Sequence, residues 1–143
     1  MEKVLRYLFV LAAAVVAAGL PGRAEVVAID GVWYDLDQKH HAATVTYSAA
    51  LRSEGRKSYN KVAVIDIPAV VKHNGKSYKV KAIGDQAFLD ERVVTVTLPA
   101  GVTYIGDEAF AECKQLTAVL LMSKEPPTLG EQVFRDAARH GNY

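Results

Sequence analysis

The sequence predicts a β-rich solenoid: a right-handed superhelix of short parallel strands joined by short helical turns, opened by an N-terminal β-hairpin cap. Three observations predict it. The hexad Ile83-Gly84-Asp85-Gln86-Ala87-Phe88 recurs as Ile105-Gly106-Asp107-Glu108-Ala109-Phe110 and, degraded, as Leu129-Gly130-Glu131-Gln132-Val133-Phe134. Three strand-like runs, Val62–Pro68, Val93–Pro99 and Leu116–Met122, share apolar residues at their first, fourth and sixth positions, with offsets of 31 and 23 residues. Asp30-Gly31 and Asn74-Gly75 are two-residue hairpin signals flanked by strand-like residues. Self-similarity at such periods marks stacked repeats, each burying its apolar face only against its neighbours.

The first 24 residues stand apart. Lys3 and Arg6 precede an unbroken run of 13 apolar or small residues, Leu8–Leu20, and Pro21-Gly22-Arg23-Ala24 ends it with small residues where a signal peptidase reads. As a helix at about 1.5 Å per residue the run reaches only roughly 20 Å, short of the ~30 Å hydrocarbon core. A signal peptide over residues 1–24, cleaved after Ala24, is therefore expected, with an uncleaved anchor as the alternative. No cysteine follows the run, which argues against lipid attachment.

The mature chain, Glu25–Tyr143, has 119 residues, enough for one domain. Cleavage removes three cations (Lys3, Arg6, Arg23) and one anion (Glu2), moving the formal net charge from +1 to −1. Such a neutral domain has no electrostatic footprint for nucleic acid. The one cysteine, Cys113, has no internal disulfide partner, so packing and backbone pairing must hold the exported fold.

Residues 25–61 read as the N-terminal β cap: Val26–Ile29 and Val32–Leu36 flank Asp30-Gly31, Ala43–Tyr47 alternates as a further strand, and Arg52–Asn60 reads as a polar loop. Residues 62–143 are the repeat region. In each strand run the fourth and sixth residues (Ile65 and Ile67, Val96 and Leu98, Val119 and Leu121) lie two apart and share the core face. The residues between them point outward. Pro68 and Pro99 end their strands by removing a donor. In the hexad, the leading Ile plugs the core, the glycine permits a tight turn, the aspartate caps amides of a helical turn and the phenylalanine points inward. The first repeat carries extra residues at 70–80, read as a β-hairpin insertion projecting from the coil around Asn74-Gly75.

These residues resemble the BspA-like leucine-rich repeat family. The match is carried by Val93/Val96/Leu98/Pro99, by Ile105-Gly106-Asp107-Glu108-Ala109-Phe110 and by Cys113-Lys114-Gln115-Leu116, firmly from Val62 to Phe134 and more loosely over Val26–Tyr47. The resemblance implies a leucine-rich-repeat solenoid, an exported or surface-attached bacterial protein, binding to host matrix proteins or other cells, and no chemistry. It also implies a longer run of coils. This chain stops nine residues after Phe134 without a final strand, which predicts as the alternative a truncated or structural repeat fragment of a larger surface protein.

No catalytic constellation is present, and nothing calls for a cofactor or metal. His40 and His41 are adjacent, so on a strand they point to opposite faces and chelate poorly; His73 and His140 have no ligand at a recognisable spacing. Cys113 has no identifiable histidine partner and reads as a buried, inert residue. Asp85 and Asp107 supply one carboxylate per coil, unlike a calcium-binding repeat array. Phe88, Phe110 and Phe134 sit at equal points of successive coils and read as a core stack. A periplasmic enzyme would need a convergent acid–base or nucleophile pair, and none is found.

The candidate protein-binding face is the outward side of the strands: Asp66, Thr95, Thr97, Ala118 and Leu120. The function expected is that of a non-enzymatic interaction module, exported to the cell surface, the extracellular space or the periplasm. Its partner would be a protein of the extracellular matrix or host cell surface, with no nucleic acid and no membrane span after cleavage. Self-association through the edge strand Leu116–Met122 accompanies the alternative.

Overall fold

The computed structural model describes residues 25–59 and 63–138. The signal peptide expected over residues 1–24 lies outside the described residues, as does His140.

The chain opens with an antiparallel meander of β1 (Glu25–Ile29), β2 (Val32–Asp37) and β3 (Ala42–Val45). Asp30 and Gly31 both take positive φ, 49° and 82°, which matches the right-handed twist of the strands they join. Val32, Tyr34 and Leu36 alternate inward on β2 and are buried. A five-residue helix, α1 (Ala49–Ser53), follows; no helix was expected there, and its last two residues fall in the stretch Arg52–Asn60 read as a loop. It starts where Ser48 Oγ accepts the Leu51 amide at 3.2 Å.

β4 (Val64–Asp66), β7 (Thr95–Leu98) and β9 (Ala118–Leu121) form a three-stranded parallel sheet. The other sheet runs β1-β2-β3-β6-β8-β10, where β6 is Lys76–Ile83, β8 Tyr104–Ile105 and β10 Thr128–Leu129; β5 (Val70–His73) pairs antiparallel with β6. From β3 onward the neighbours in that path pair in parallel. Each repeat thus contributes one strand to either sheet, and Val45, Ile83, Ile105 and Leu129 pair in register. The β5–β6 hairpin turns at Asn74-Gly75, again with both φ positive, 49° and 74°. It does not project. β6 runs on into the large sheet and Val71, Tyr78 and Val80 are buried, because the apolar alternation of the hairpin gives it a face to pack inward.

The core is a column. The rings of Tyr59, Phe88, Phe110 and Phe134 follow one another with centroids 4.7, 5.1 and 5.6 Å apart. Tyr59 therefore stands ahead of the first hexad as the first member of the stack. Its hydroxyl donates to the Thr46 carbonyl at 2.5 Å, and it accepts the Trp33 amide. Phe88 and Phe110 are fully buried, whereas Phe134 is 45% exposed and Leu121 44% exposed. Both were expected inside; each packs on the preceding repeat by one side only, since no described repeat follows.

The hexads fold as overlapping β-turns, not as helical turns. The Ala87 amide donates to the Gly84 carbonyl and the Glu91 amide to Phe88, while Gln86 and Asp90 between them take φ of 55°, the left-handed third position of a type II turn. Glu108 and Glu112 repeat this at 52° and 58°. The alternate amides, of Gln86, Phe88 and Asp90, donate instead to the carbonyls of Asp107, Ala109 and Ala111 in the next repeat. A helix would keep those amides for itself and leave the repeats unbonded at this side.

The hexad aspartates do not cap their own turns. Asp85 Oδ1 accepts the amide of Asp107, and Asp107 Oδ1 accepts the amide of Glu131, both at 2.8 Å. Each carboxylate reaches across to the next repeat. The hexad glycines follow from this: none takes positive φ, but a Cβ on Gly106 would lie 2.3 Å from Asp85 Oδ1 and 2.5 Å from the Asp85 nitrogen, and Gly130 meets Asp107 in the same way at 2.3 and 2.7 Å. Close approach, not turn geometry, demands glycine there.

Candidate protein-interaction face

β4, β7 and β9 position the face. Their pairing is in register, so Ile65, Val96 and Val119 stand side by side and point inward, and the residues flanking them point outward. Two rungs result. One is Val64–Thr95–Ala118 and the other is Asp66–Thr97–Leu120. All five residues expected from the sequence fall on this one surface. Val64, 57% exposed, completes it. It was missed because an apolar residue in an apolar run reads as core; its register with Thr95 and Ala118 was the available signal.

The surface is small and nearly uncharged. Asp66 is its only ionisable side chain and is exposed, and Val64 and Leu120, at 57% and 50% exposure, give it two apolar ends. Such a face loses little on desolvation and suits the charge-depleted centre of a protein–protein contact.

Elsewhere the polar groups serve the fold. A cleft of about 330 Å³ lies between the α1 loop and the hexad turns, lined by residues including Arg52, Lys57, Asp90, Glu91, Glu112 and Arg135. Some of its charges pair with one another and the others engage the backbone or a ring. Lys57 pairs with Asp90, and Arg135 pairs with Glu108 at 2.5 Å and Glu112 at 3.2 Å. Arg52 lies 3.3 Å above the Tyr47 ring and donates to the Gln86 carbonyl. Glu91 is buried and accepts the amides of Ser58 and Tyr59 at 2.9 and 3.2 Å. Burial raises its pKa, against the pull of those amides and of Lys57 and Arg52. Glu91 ties the chain ahead of β4 to the first repeat.

Cys113 is fully buried, its thiol donates to the Phe88 carbonyl at 2.9 Å, and burial pushes its pKa up to about 12. It is a small core residue with almost no thiolate at neutral pH. His40 sits 2.6 Å from Asp37, His41 stacks on Tyr78 and His73 lies 3.4 Å from Glu25, so the three are separately engaged. Among the described residues no three His, Cys, Asp or Glu side chains gather as a metal site, and no helix is long and apolar enough to cross a membrane.

The model of the BspA-type leucine-rich repeat region matches residues 71–139. A search of curated proteins returns no match. Among solved structures, a leucine-rich repeat protein from Bacteroides capillosus is 31% identical with a TM-score of 0.60, over 74% of this chain and 71% of that one. A leucine-rich cell surface protein from Faecalibacterium prausnitzii is 27% identical with a TM-score of 0.59, over 76% of this chain but 27% of that one. A T. pallidum leucine-rich repeat protein shares the fold at 19% identity and a TM-score of 0.57, with 78% of this chain and 46% of that one covered.

Proposed function

The chain belongs to the BspA-type leucine-rich repeat family, and from that premise we propose that it is an exported, non-enzymatic protein-interaction module. It is built as a solenoid whose β1–β3 meander caps one end. It works at the cell surface, in the extracellular space or in the periplasm after cleavage behind Ala24. Two things support this reading: the family is one of interaction modules, and the F. prausnitzii relative is a cell surface protein.

The observation that carries the proposal is the pair of outward rungs on the three-stranded sheet. Asp66, Thr95, Thr97, Ala118 and Leu120, with Val64, form one continuous, low-charge surface fixed by parallel pairing. Its partner is a protein of the extracellular matrix or of a host cell surface. The test is surface plasmon resonance of the purified protein against matrix proteins, mucin and cell-surface preparations, with Thr97→Arg as the probe. Saturable binding that the variant weakens at least tenfold supports the assignment. Absence of saturable binding, or binding indifferent to Thr97→Arg, overturns it. A second reading, self-association through the edge strand Leu116–Met122, is favoured by the open outer edge of β9 in the described residues.

A further inference from the structure

Charge is unevenly spread along Glu25–Tyr143. Residues 67–84 hold four of its fourteen Lys and Arg and none of its fifteen Asp and Glu. Those four, Lys72, Lys76, Lys79 and Lys81, are exposed, and among the described residues no carboxylate pairs with them. Arg56, Lys57 and Arg135, by contrast, are all paired.

Strand pairing puts three of the four on one face. Val71 and Tyr78 stand opposite each other and are buried, so the pairs on either side, Val70 with Lys79 and Lys72 with Ser77, face outward. Val80 is buried, so Lys81 faces outward too, and a bulge there resets the alternation so that Ile83 still reaches the core. Lys79 and Lys81 are about 7 Å apart along β6, and the row from Ser77, level with Lys72, to Lys81 is about 13 Å long. Lys76 lies at the turn, opposite His73 on the other face. The hairpin beneath the row is fixed by its buried side and by His41 stacked on Tyr78. No ion pair within the fold offsets the mutual repulsion of these cations.

The borders of the row select its occupant. Asp35 and Asp37 share the outward face on β2, two strands from β6 or roughly 10 Å away. Exposed Asp85 follows the end of β6, with Asp107 beside it in the next repeat. A broad anionic surface such as a bilayer or a nucleic-acid duplex would meet these carboxylates together with the lysines. A single linear polyanion lying along β6 meets the lysines. Beside Lys81 it also meets Thr103, whose amide donates to the Lys81 carbonyl, and Tyr104, 39% exposed and in register with Ala82.

We propose that the outward face of the β5–β6 hairpin binds a linear sulfated polysaccharide, with sulfates on Lys72, Lys79 and Lys81 and a sugar ring against Tyr104. An ammonium group is a point charge that accepts an anionic oxygen from many directions, and a sulfate ester stays ionised at every working pH. The row belongs to the large sheet and the rungs proposed above to the three-stranded one, so the two assignments can fail separately.

Isothermal titration of the purified protein with a heparin oligosaccharide tests the site. The expected result is saturable binding that weakens with added salt and falls at least tenfold in Lys79→Glu/Lys81→Glu, with circular dichroism unchanged. The milder Lys79→Gln gives a smaller loss in the same direction. Lys114→Glu/Lys124→Glu, the same change of charge at exposed lysines elsewhere, leaves the affinity within twofold of the wild type. Absence of saturable binding, or equal losses in the two double variants, overturns the proposal. Binding of phosphatidylserine vesicles or duplex DNA as tight as that of heparin also overturns it.

Discussion

Replacing Gly106 by alanine tests the central claim about the hexad, that its glycine is required by the carboxylate of the preceding repeat. The added Cβ would lie 2.3 Å from Asp85 Oδ1, 2.5 Å from the Asp85 nitrogen and 2.8 Å from the Gly84 carbonyl carbon. Ordinary contacts begin about an ångström further out, and two of the three atoms are backbone, so rotating a side chain does not relieve the overlap. The repeats must part locally. Overpacking of this kind costs about 1–3 kcal/mol. Parting also stretches the Asp85–Asp107 bond, a charged acceptor on a backbone amide worth about 1.5–3 kcal/mol. The expected loss is therefore roughly 2.5–6 kcal/mol, read as a shift in the urea midpoint at constant m-value. Gly75→Ala is the control. That glycine has φ of +74° and open space around it, so its cost is the left-handed penalty alone, about 1–2 kcal/mol. Asp85→Ala combined with Gly106→Ala recovers only part of the loss, because the backbone nitrogen remains in the way. A Gly106→Ala cost below that of Gly75→Ala would refute the close-approach account and return the glycine to a role in turn geometry.

Phe110→Ala removes a fully buried ring stacked on both sides and is expected to cost about 3–5 kcal/mol. Phe134→Ala, with one ring face open, costs roughly half as much, and equal urea midpoints for the two would refute the order of the stack. Cys113 in the native protein is expected to resist thiol reagents at pH 8 and to react at once in denaturant, since its folded pKa of about 12 leaves almost no thiolate; fast native labelling would contradict its burial. Glu91 has a raised folded pKa, so the folded state holds its proton to higher pH than the unfolded state does. Its contribution to stability therefore falls as pH rises through the interval from the ordinary carboxylate pKa to the raised one. Comparing urea stability of the wild type and Glu91→Gln across that interval should show the gap moving in favour of the variant as pH rises, and parallel profiles would refute it.

Repeat positions were legible in the sequence because strand and turn chemistry are local. Alternation of two in Val93–Leu98 names the inward residues, and Asp30-Gly31 and Asn74-Gly75 name hairpins by the φ angles they tolerate. The outward face followed from the same alternation, and all five residues named on it share one surface. Val64 escaped because its neighbours along the chain are apolar, and only its neighbours across the sheet show that it faces out. The hexads misled in a similar way. A glycine and an aspartate in succession suggest a tight turn with its own cap, whereas both residues answer to the repeat alongside.

By itself the sequence determined the period, the direction in which each strand residue faces and the two hairpin turns. Those depend on residues a few positions apart. The tertiary structure alone decided that Asp85 and Asp107 bond forward into the next repeat, that Gly106 and Gly130 make room for them and that Tyr59 begins the aromatic column. It also decided that the β5–β6 hairpin joins the large sheet. Each of these rests on contacts between residues about 20 to 40 positions apart, set by the spacing of the stacked repeats, a distance that no local pattern encodes.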